Sequence, residues 1–281
     1  MDLQVVEQVT RLDEWIAEGG VTVLSGAGLS TDSGIPDYRG PSGSARRGSP
    51  MTYQTFTGDP IARRRYWARS HLGWRTIGGA LPNDGHRAVA RWQESGLLNG
   101  VITQNVDGLH QAAGARDVVE LHGNLARIVC LGCGELTPRA ELGRRLDLAN
   151  PGFAAVATAI NPDGDVELDD AELTGFAVVD CRTCGGVLKP DVVYFGETVP
   201  AGRVTRAFEL VGSARTLLVL GSSLTVMSGR RFVLRAVKEG IRVAIVNRGV
   251  TRGEPYADMV IDAPLGVVLP NLGRTPTAAD F

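Results

Sequence analysis

Residues 21–30 have the sequence VTVLSGAGLS, a short apolar run that leads directly into a glycine-rich turn. Residues 21–24 have the composition of a buried strand. A Gly-x-Gly turn between a strand and a helix brings backbone N–H groups and a helix N-terminus close to a pyrophosphate. Thr31 stands where the third glycine of the dinucleotide-binding fingerprint would be. The stretch therefore predicts a nucleotide-binding α/β fold, with an ordinary structural turn as the alternative.

The turn continues into SGIPDYRG at residues 33–40. Glycine and proline flank Asp37 and Arg39 in this segment, which is typical of a loop. A loop that carries both a carboxylate and a guanidinium group is expected to bind a ligand as well as to connect two elements. We expect a cofactor loop at residues 26–48, followed by a helical segment at residues 50–80.

Further apolar, β-rich runs follow along the chain with helical patterns between them. The runs lie at residues 101–103, 216–220 and 243–246, and residues 230–239 have apolar side chains at helical spacing. Strands that alternate with helices in this way predict a parallel sheet with helices on its faces. The expected fold class is a doubly wound, Rossmann-like α/β domain.

Two cysteine pairs interrupt this alternation. Cys130-x-x-Cys133 and Cys181-x-x-Cys184 are separated by 47 residues, and a glycine follows each pair. Four thiolates complete a tetrahedral shell, so the pattern predicts one structural Zn²⁺ per chain, with a redox role for either pair as the alternative. The expected domains are a zinc-binding module at 126–189 and a discontinuous, Rossmann-like nucleotide-binding domain at 1–125 and 190–281.

The charge balance and the hydropathy of the sequence indicate which partners and which cellular location to expect. Lys and Arg total 29 against 31 Asp and Glu, so the net charge of -2 gives no overall attraction to nucleic acid or an anionic membrane. No apolar run approaches the ~20 residues that span a bilayer. The acidic, amphipathic N-terminus is unlike a signal peptide. We expect a cytoplasmic protein, or a protein of the mitochondrial matrix if a leader has been removed. In such a reducing compartment the four cysteines are expected to bind a metal and not to form disulfides.

Polar side chains follow the predicted strand at residues 101–103. Gln104, Asn105 and Asp107 lie just beyond its carboxyl end, where open α/β sheets bind their ligands. Their amide and carboxylate groups are suited to holding a ribose and a carboxamide. Ordinary turn chemistry is the alternative, since Asn and Asp also stabilise turns.

His122 is the candidate general base among the histidines. Its reference pKa of ~6.5 places its proton exchange near neutrality. A structural histidine near a strand is the alternative. His71, His86 and His110 are expected to be structural.

Five motifs together resemble the signature of the sirtuin family. They are GAGLSTDSGIPDYRG at 26–40, TQNVDGLH at 103–110, ELHGN at 120–124, KPDVVYFGE at 189–197 and GSSLTV at 221–226. They occur in the order of the family and extend over nearly the whole chain. The resemblance implies an NAD-dependent protein-lysine deacylase that yields nicotinamide and O-acyl-ADP-ribose, with His122 and Asn105 as catalytic residues. The alternatives are an ADP-ribosyltransferase with the same NAD cleavage and an idle NAD sensor.

The same resemblance implies where the cofactor and the acyl-lysine protein substrate bind. The expected NAD contacts are Gly26, Ala27, Gly28, Ser30, Thr31, Ile35, Pro36, Asp37, Tyr38, Arg39, Gln104, Asn105, Val106, Asp107, His122, Gly221, Ser222, Ser223, Asn247, Arg248, Gly249 and Leu265. The expected peptide contacts are Val193, Phe195, Gly196, Glu197 and Val226. The segment at 193–197 and the segment near Val226 would bind an extended peptide between them by strand addition. For the segment at 193–197, which belongs to KPDVVYFGE, the alternative is a buried sheet strand. No nucleic-acid or membrane partner is expected, and a monomer is compatible with the sequence.

A basic and aromatic run at residues 63–74 predicts the choice of acyl group. Tyr66 and Arg69 are one helical turn apart, so we expect them to bind the carboxylate of an acidic acyl chain, as in the desuccinylase branch of the sirtuins. Residues 162–170 and Met227-Ser228-Gly229 resemble the class II, mitochondrial sirtuin-four-like branch. That likeness implies poor deacetylation and a preference for longer or acidic acyl chains. The alternatives for the run are one face of a solvated helix, which the net charge of the chain favours, and a nucleic-acid contact.

Overall fold

The computed structural model describes residues 3–37, 50–153, 166 and 175–273. Tyr38, Arg39 and all of the 162–170 segment except Val166 lie outside the described residues. The strands are β1 (Val21–Ser25), β2 (Leu98–Thr103), β3 (Val119–Glu120), β4 (Gly123–Cys130), β5 (Leu136–Pro138), β6 (Leu188–Val192), β7 (Thr216–Leu220), β8 (Arg242–Asn247) and β9 (Met259–Asp262). The helices are α1 (Leu3–Ala17), α2 (Tyr53–Gly58), α3 (Pro60–Ile77), α4 (Asp84–Glu94), α5 (Leu109–Ala112), α6 (Arg139–Ala149), α7 (Ala201–Gly212), α8 (Met227–Lys238) and α9 (Leu265–Val268).

A parallel sheet with the strand order β3-β2-β1-β7-β8-β9 confirms the predicted doubly wound fold. Every residue of β1 and β7 is buried, because helices cover both faces of the sheet. Ile16 of α1 and Trp92 of α4 belong to the core on one face. Leu210 of α7 and Phe232 of α8 belong to the core on the other face. No helix of the described part of the chain is long and apolar enough to cross a membrane.

The strand order reverses between β1 and β7, and open α/β sheets bind ligands in the crevice at such a point. The turn after β1 packs there against the turn after β7. Gly26 N–H donates to Leu220 O at 2.9 Å, and Gly28 N–H donates to Gly221 O at 2.9 Å. A Cβ at Gly26 would lie 2.8 Å from Gly221 O. Contact between two backbones therefore requires glycine in this turn.

A second, antiparallel sheet has the strand order β5-β4-β6. Cys130 ends β4, and the pair Cys181 and Cys184 precedes β6. The sheet begins at Gly123 and ends at Val192, a few residues outside the limits 126–189. The division of the chain into two domains stays a prediction.

The motif KPDVVYFGE divides between strand and loop. Residues Leu188–Val192 form β6 and pair with β4, whereas residues 193–197 leave the sheet. The buried-strand alternative is therefore correct for the first half of the motif. The expectation of a peptide-binding edge is restricted to the second half.

Helices α2 and α3 share a core with the second sheet. Phe56 and Trp67 belong to the same apolar cluster as Leu142 of α6. Arg139, which begins α6, is 1% exposed and donates from Nη2 to Ser70 O at 3.1 Å. Its guanidinium carbon lies 5.2 Å from the centre of the Trp67 ring, a cation–π contact. The helical segment and the second sheet are therefore packed as one unit.

Gly123 allows a prediction about stability, because it has a φ of 88° and a Cβ there would overlap Asp191 O across the sheet. Gly123→Ala is expected to combine the cost of a left-handed residue, about 1–2 kcal/mol, with overpacking of about 1–3 kcal/mol. Urea unfolding measures the loss. Gly96→Ala is the matched control, since Gly96 has a φ of 74° and nothing within 4 Å of its Cβ position. Equal losses for the two variants would show that β4 and β6 separate at this point at no cost.

Candidate active site

A cleft of about 830 Å³ lies at the carboxyl edge of the parallel sheet. It lies where the strand order reverses, so the strand ends converge on it from both directions. Most of the predicted site residues line it: Gly26, Ala27, Gly28, Ser30, Ile35, Pro36, Asp37, Gln104, Asn105, Val106, Asp107, His122, Val193, Phe195, Gly196, Glu197, Gly221, Ser222, Ser223, Val226, Asn247, Arg248 and Gly249. The structure thus brings residues of all five sequence motifs into one cavity.

Asn105 is held in the cleft by the turn after β1. Its Nδ2 donates to Gly26 O and to Ser30 Oγ, both at 3.0 Å. Ser30 Oγ donates in turn to Asp107 Oδ2 at 2.7 Å. Burial raises the pKa of Asp107, although hydrogen bonds from Leu109 N–H and Ser30 act to lower it. The network fixes the side chains of Asn105 and Asp107 before any ligand binds.

Gln104 joins the ends of β2 and β7. Its Nε2 donates to Ser222 Oγ at 2.8 Å. A Cβ at Gly229 would lie 2.5 Å from Gln104 Oε1, so only glycine at that position leaves room for the amide. Gln104 is therefore ordered by its bond to Ser222 and by close packing against Gly229.

His122 lies beside this amide and faces the cleft. Its Nδ1 is 2.9 Å from Gln104 O, and because a carbonyl oxygen accepts only, Nδ1 carries the proton. Nε2 then presents a lone pair, which is the arrangement that a general base requires. Burial lowers the pKa of His122 in spite of the bond to Gln104 O, so the ring is neutral near pH 7.

Ser228 was not among the predicted site residues. Its Oγ lies 2.8 Å from His122 Nε2, and it lines the cleft. Met227-Ser228-Gly229 is a departure from the usual family ending, and that departure was the only signal in the sequence. Sequence reasoning also missed other lining residues, some inside the motifs and some outside them: Pro50, Met51, Leu125, Val192, Tyr194, Val199, Leu224, Thr225, Val250 and Asp262.

The loop at residues 193–197 forms one wall of the cleft. Val193 N–H donates to His122 O at 2.8 Å, which ties the loop to the histidine. Glu197 Oε2 accepts from Tyr194 N–H at 2.9 Å and from Lys189 Nζ at 3.2 Å. Lys189 is 3% exposed, and burial lowers its pKa. The Glu197 carboxylate therefore holds the loop together.

Four of the described residues that were predicted to bind NAD or the substrate lie outside the lining of the cleft. Thr31 Oγ1 donates to Gly28 O at 3.0 Å and so stabilises the turn, while Leu265 is buried in the core under Gly221. Tyr66 is 2% exposed, with Phe56 5.4 Å and Tyr194 5.5 Å from its ring centre. Arg69 is half-buried on the same helix. The cleft lining therefore includes neither Tyr66 nor Arg69.

The four cysteines form a centre for one metal ion. Their Sγ atoms all lie within 4.8 Å of one another. Cys130 Sγ is 3.5 Å from Cys184 Sγ, and Cys133 Sγ is 3.8 Å from Cys181 Sγ. A tetrahedral Zn²⁺ site with bonds of about 2.3 Å has sulfurs about 3.8 Å apart, so the set fits zinc. Four protein ligands leave no open position, and the site is structural.

The expectation that His71, His86 and His110 are structural agrees with their burial. His110 Nε2 lies 2.8 Å from Ser25 Oγ, and the rings of His86 and His110 are 5.1 Å apart. Burial lowers the pKa of His86 to about 4 and that of His110 to about 3. Both rings are therefore neutral in the folded protein at pH 5 to 7.

The neutral His86 predicts how stability depends on pH. Its folded pKa of about 4 is below the ordinary value of 6.5, so the unfolded chain takes up a proton below pH 6.5 that the folded chain does not. The free energy of unfolding then falls by about 1.4 kcal/mol per pH unit as pH decreases. His86→Gln should reduce the slope by this amount between about pH 6 and about pH 4, measured by urea unfolding, while the contribution of His110 remains. Arg91→Gln, on the exposed side of α4, should keep the wild-type slope. A His86→Gln slope equal to the wild-type slope would show that His86 is charged in the fold.

The cysteine centre predicts the effect of losing one ligand. Cys133→Ser is expected to reduce the zinc content from one ion per chain to nearly none, as measured by elemental analysis. The melting temperature should fall by about 4–8 °C, since the loss of a structural metal costs at least about 2 kcal/mol. Arg182→Ala is the control, because Arg182 is exposed and makes only a surface ion pair with Glu141. Zinc retained in full by Cys133→Ser would contradict the assignment.

Comparison with known proteins agrees with this geometry. Residues 26–228 match the Sir2 family. "NAD-dependent protein deacetylase 1" of Streptomyces coelicolor is 65% identical over 89% of this chain and 84% of that protein. The protein of the same name in Mycobacterium avium is 54% identical over 86% of each. The solved structure "Sir2-p53 peptide-NAD+" is 28% identical, with a TM-score of 0.74 over 93% of this chain and 95% of that one. The resemblance inferred from the motifs is confirmed, and this chain belongs to the Sir2 family, the sirtuins.

Proposed function

We propose that this protein removes acetyl groups from lysine side chains of other proteins, with NAD as its co-substrate. The observation that carries the proposal is the neutral His122, whose Nε2 lone pair faces a cleft at the reversal of strand order. The relatives named NAD-dependent protein deacetylase support it. The products would be free lysine, nicotinamide and O-acetyl-ADP-ribose.

The described residues fit NAD along the length of the cleft. The Gly26–Gly28 turn would approach the pyrophosphate with the backbone N–H of Ala27, because the N–H groups of Gly26 and Gly28 already donate to Leu220 O and Gly221 O. Asn247 is the last residue of β8 and would meet the adenosine ribose. Asn105 and Asp107 would orient the carboxamide of nicotinamide. Bound NAD would supply the ribose carbon that accepts the acyl oxygen, with nicotinamide as the leaving group.

His122 would act after that bond breaks. Nε2 is the atom that would accept the proton of a ribose hydroxyl, and Gln104 O would stabilise the imidazolium that results through Nδ1–H. Proton transfer by such a positioned base contributes about 10²–10⁴-fold to a rate. Replacing His122 is therefore expected to suppress product formation and to leave the fold intact.

The loop at residues 193–197 and the segment near Val226 would hold the substrate peptide. Phe195 is 44% exposed at the cleft, and Val226 has the extended backbone of a strand, with φ -84° and ψ 129°. Extended segments of this kind bind peptides through main-chain hydrogen bonds. The substrate chemistry is thus an acetyl-lysine in an extended, accessible stretch of a protein.

The described lining favours an uncharged acyl group. Arg248 is the only Lys or Arg among the described residues that line the cleft, and it follows β8 on the side proposed for adenosine. Several lining residues are apolar: Ile35, Met51, Val106, Leu125 and Val192. A carboxylate among these side chains would lose its hydration without gaining a partner. The proposal therefore ranks acetyl above succinyl or glutaryl, and the predicted acidic preference through Tyr66 and Arg69 is the competing proposal.

Mass spectrometry of reactions with NAD and a panel of acyl-lysine peptides tests the proposal. The panel contains acetyl, succinyl, glutaryl, branched glutaryl and lipoyl peptides. We expect O-acetyl-ADP-ribose to form fastest, and His122→Ala to lower that rate at least about 100-fold. Arg69→Ala and the exposed control Arg64→Ala should both keep the order of acyl preference.

Two results would contradict the proposal in different ways. The first is a preference for acidic acyl chains that is lost in Arg69→Ala and kept in Arg64→Ala. That result would establish the contact of Tyr66 and Arg69 with the acyl carboxylate in place of the acetyl preference. Release of nicotinamide with no peptide deacylated, together with ADP-ribose mass on protein, would replace the deacetylase by an ADP-ribosyltransferase.

A further inference from the structure

Ser228 is hydrogen-bonded to Nε2 of His122, the one ring atom through which the proposed general base can accept a proton. His122 Nδ1 is used in its bond to Gln104 O, so a hydrogen bond at Nε2 must be donated to the ring. Ser228 Oγ lies 2.8 Å from Nε2, and its hydroxyl proton is the donor. The lone pair through which a base would act therefore already has a partner.

The hydroxyl is held in this position by its neighbours. Ser228 lies in the first turn of α8, which begins after Val226. Its carbonyl oxygen accepts from Arg231 Nε at 3.1 Å. Gly229, the next residue, packs directly on the side chain of Gln104. The main-chain carbonyl oxygen of Gln104 accepts the hydrogen bond from the other ring nitrogen of His122, Nδ1. The start of α8 and the end of β2 thus fix the ring from both sides.

The same contact conflicts with the proposed reaction, on which this inference rests. His122 and Ser228 both line the cleft, so a ribose hydroxyl that reaches Nε2 meets Ser228 Oγ there. A single sp² lone pair accepts one good hydrogen bond. Ribose and Ser228 therefore compete for one atom.

We propose that Ser228 is a positioning residue that holds His122 in the free protein and is displaced from Nε2 by a ribose hydroxyl of the co-substrate. One O–H donor replaces another, so the ring keeps its orientation throughout. The bond to Ser228 is present only before binding, and its loss opposes binding. Without it, ligands that carry this ribose bind about two- to tenfold more tightly, the range that one net hydrogen bond supports.

Isothermal titration calorimetry with two probes tests this inference without turnover. ADP-ribose carries the ribose that would meet His122, whereas ADP lacks it. Ser228→Ala should bind ADP-ribose about two- to tenfold more tightly than the wild type and should bind ADP equally well. Ser228→Thr, which keeps the hydroxyl, should retain wild-type affinity for both probes.

A double-mutant cycle assigns the effect to the contact with His122. In the His122→Ala background, Ser228→Ala should leave the affinity for ADP-ribose unchanged. In turnover, Ser228→Ala should lower the KM for NAD by the same factor and keep kcat within about twofold, a split that loss of folding does not produce. Melting temperatures of all variants check that the fold is intact.

Unchanged or weaker binding of ADP-ribose by Ser228→Ala overturns the inference, as does an equal change for ADP. A lower kcat with unchanged affinity would also overturn it, because Ser228 would then pass the proton and not be displaced. Each of these results leaves the proposed function standing. Failure of the wild type to bind ADP-ribose would overturn both, and failure to deacetylate with binding intact would overturn the proposed function alone.

Discussion

Backbone contact between the turn after β1 and the turn after β7 is the constraint on which the cleft depends. Hydrogen bonds from Gly26 and Gly28 lock the two turns together, with no space for a Cβ between them. The polar residues after β2 are then attached to these turns, Asn105 to Gly26 O and Gln104 to Ser222. Since His122 is oriented by the backbone of Gln104, the position of its ring also depends indirectly on the same glycines. Small displacements of the turns would be transmitted to every polar group of the site.

The features that were predictable from the sequence are those encoded by neighbouring residues. The Gly-x-Gly turn follows a strand in which every residue is buried, and the cysteine pairs carry their ligand spacing within four residues. Helical periodicity placed Tyr66 and Arg69 near each other but contains no information about what that face of α3 packs against. The ring of Tyr66 lies among Phe56 and Tyr194, and Tyr194 is far away in the sequence. For the same reason Ser228 was missed, since its partner His122 lies on another motif.

Charged groups near the cleft have two different roles: some stabilise the loops that form its walls, and others are exposed to its interior. Lys189 is buried and its ammonium group bonds to Glu197 and to backbone carbonyl oxygens, so this pair stabilises the 193–197 loop. Glu197 was expected to contact the substrate, and its contacts show that it also has an architectural role. Motif membership alone does not separate these two roles, because both kinds of residue can occur in one loop. The structure separates them through the partners of each side chain.

The pairing of β1 with β7 has a consequence for how the protein is made. Val21 pairs with Thr216, roughly 200 residues later in the chain, and contacts of such large sequence separation form slowly. On the ribosome, the apolar strand β1 emerges long before β7 exists to cover its edge. The second sheet, whose strands all lie between them in sequence, is synthesised completely in that interval. The glycine turn at the centre of the site is thus translated long before β7 and acquires these native contacts only after β7 has emerged.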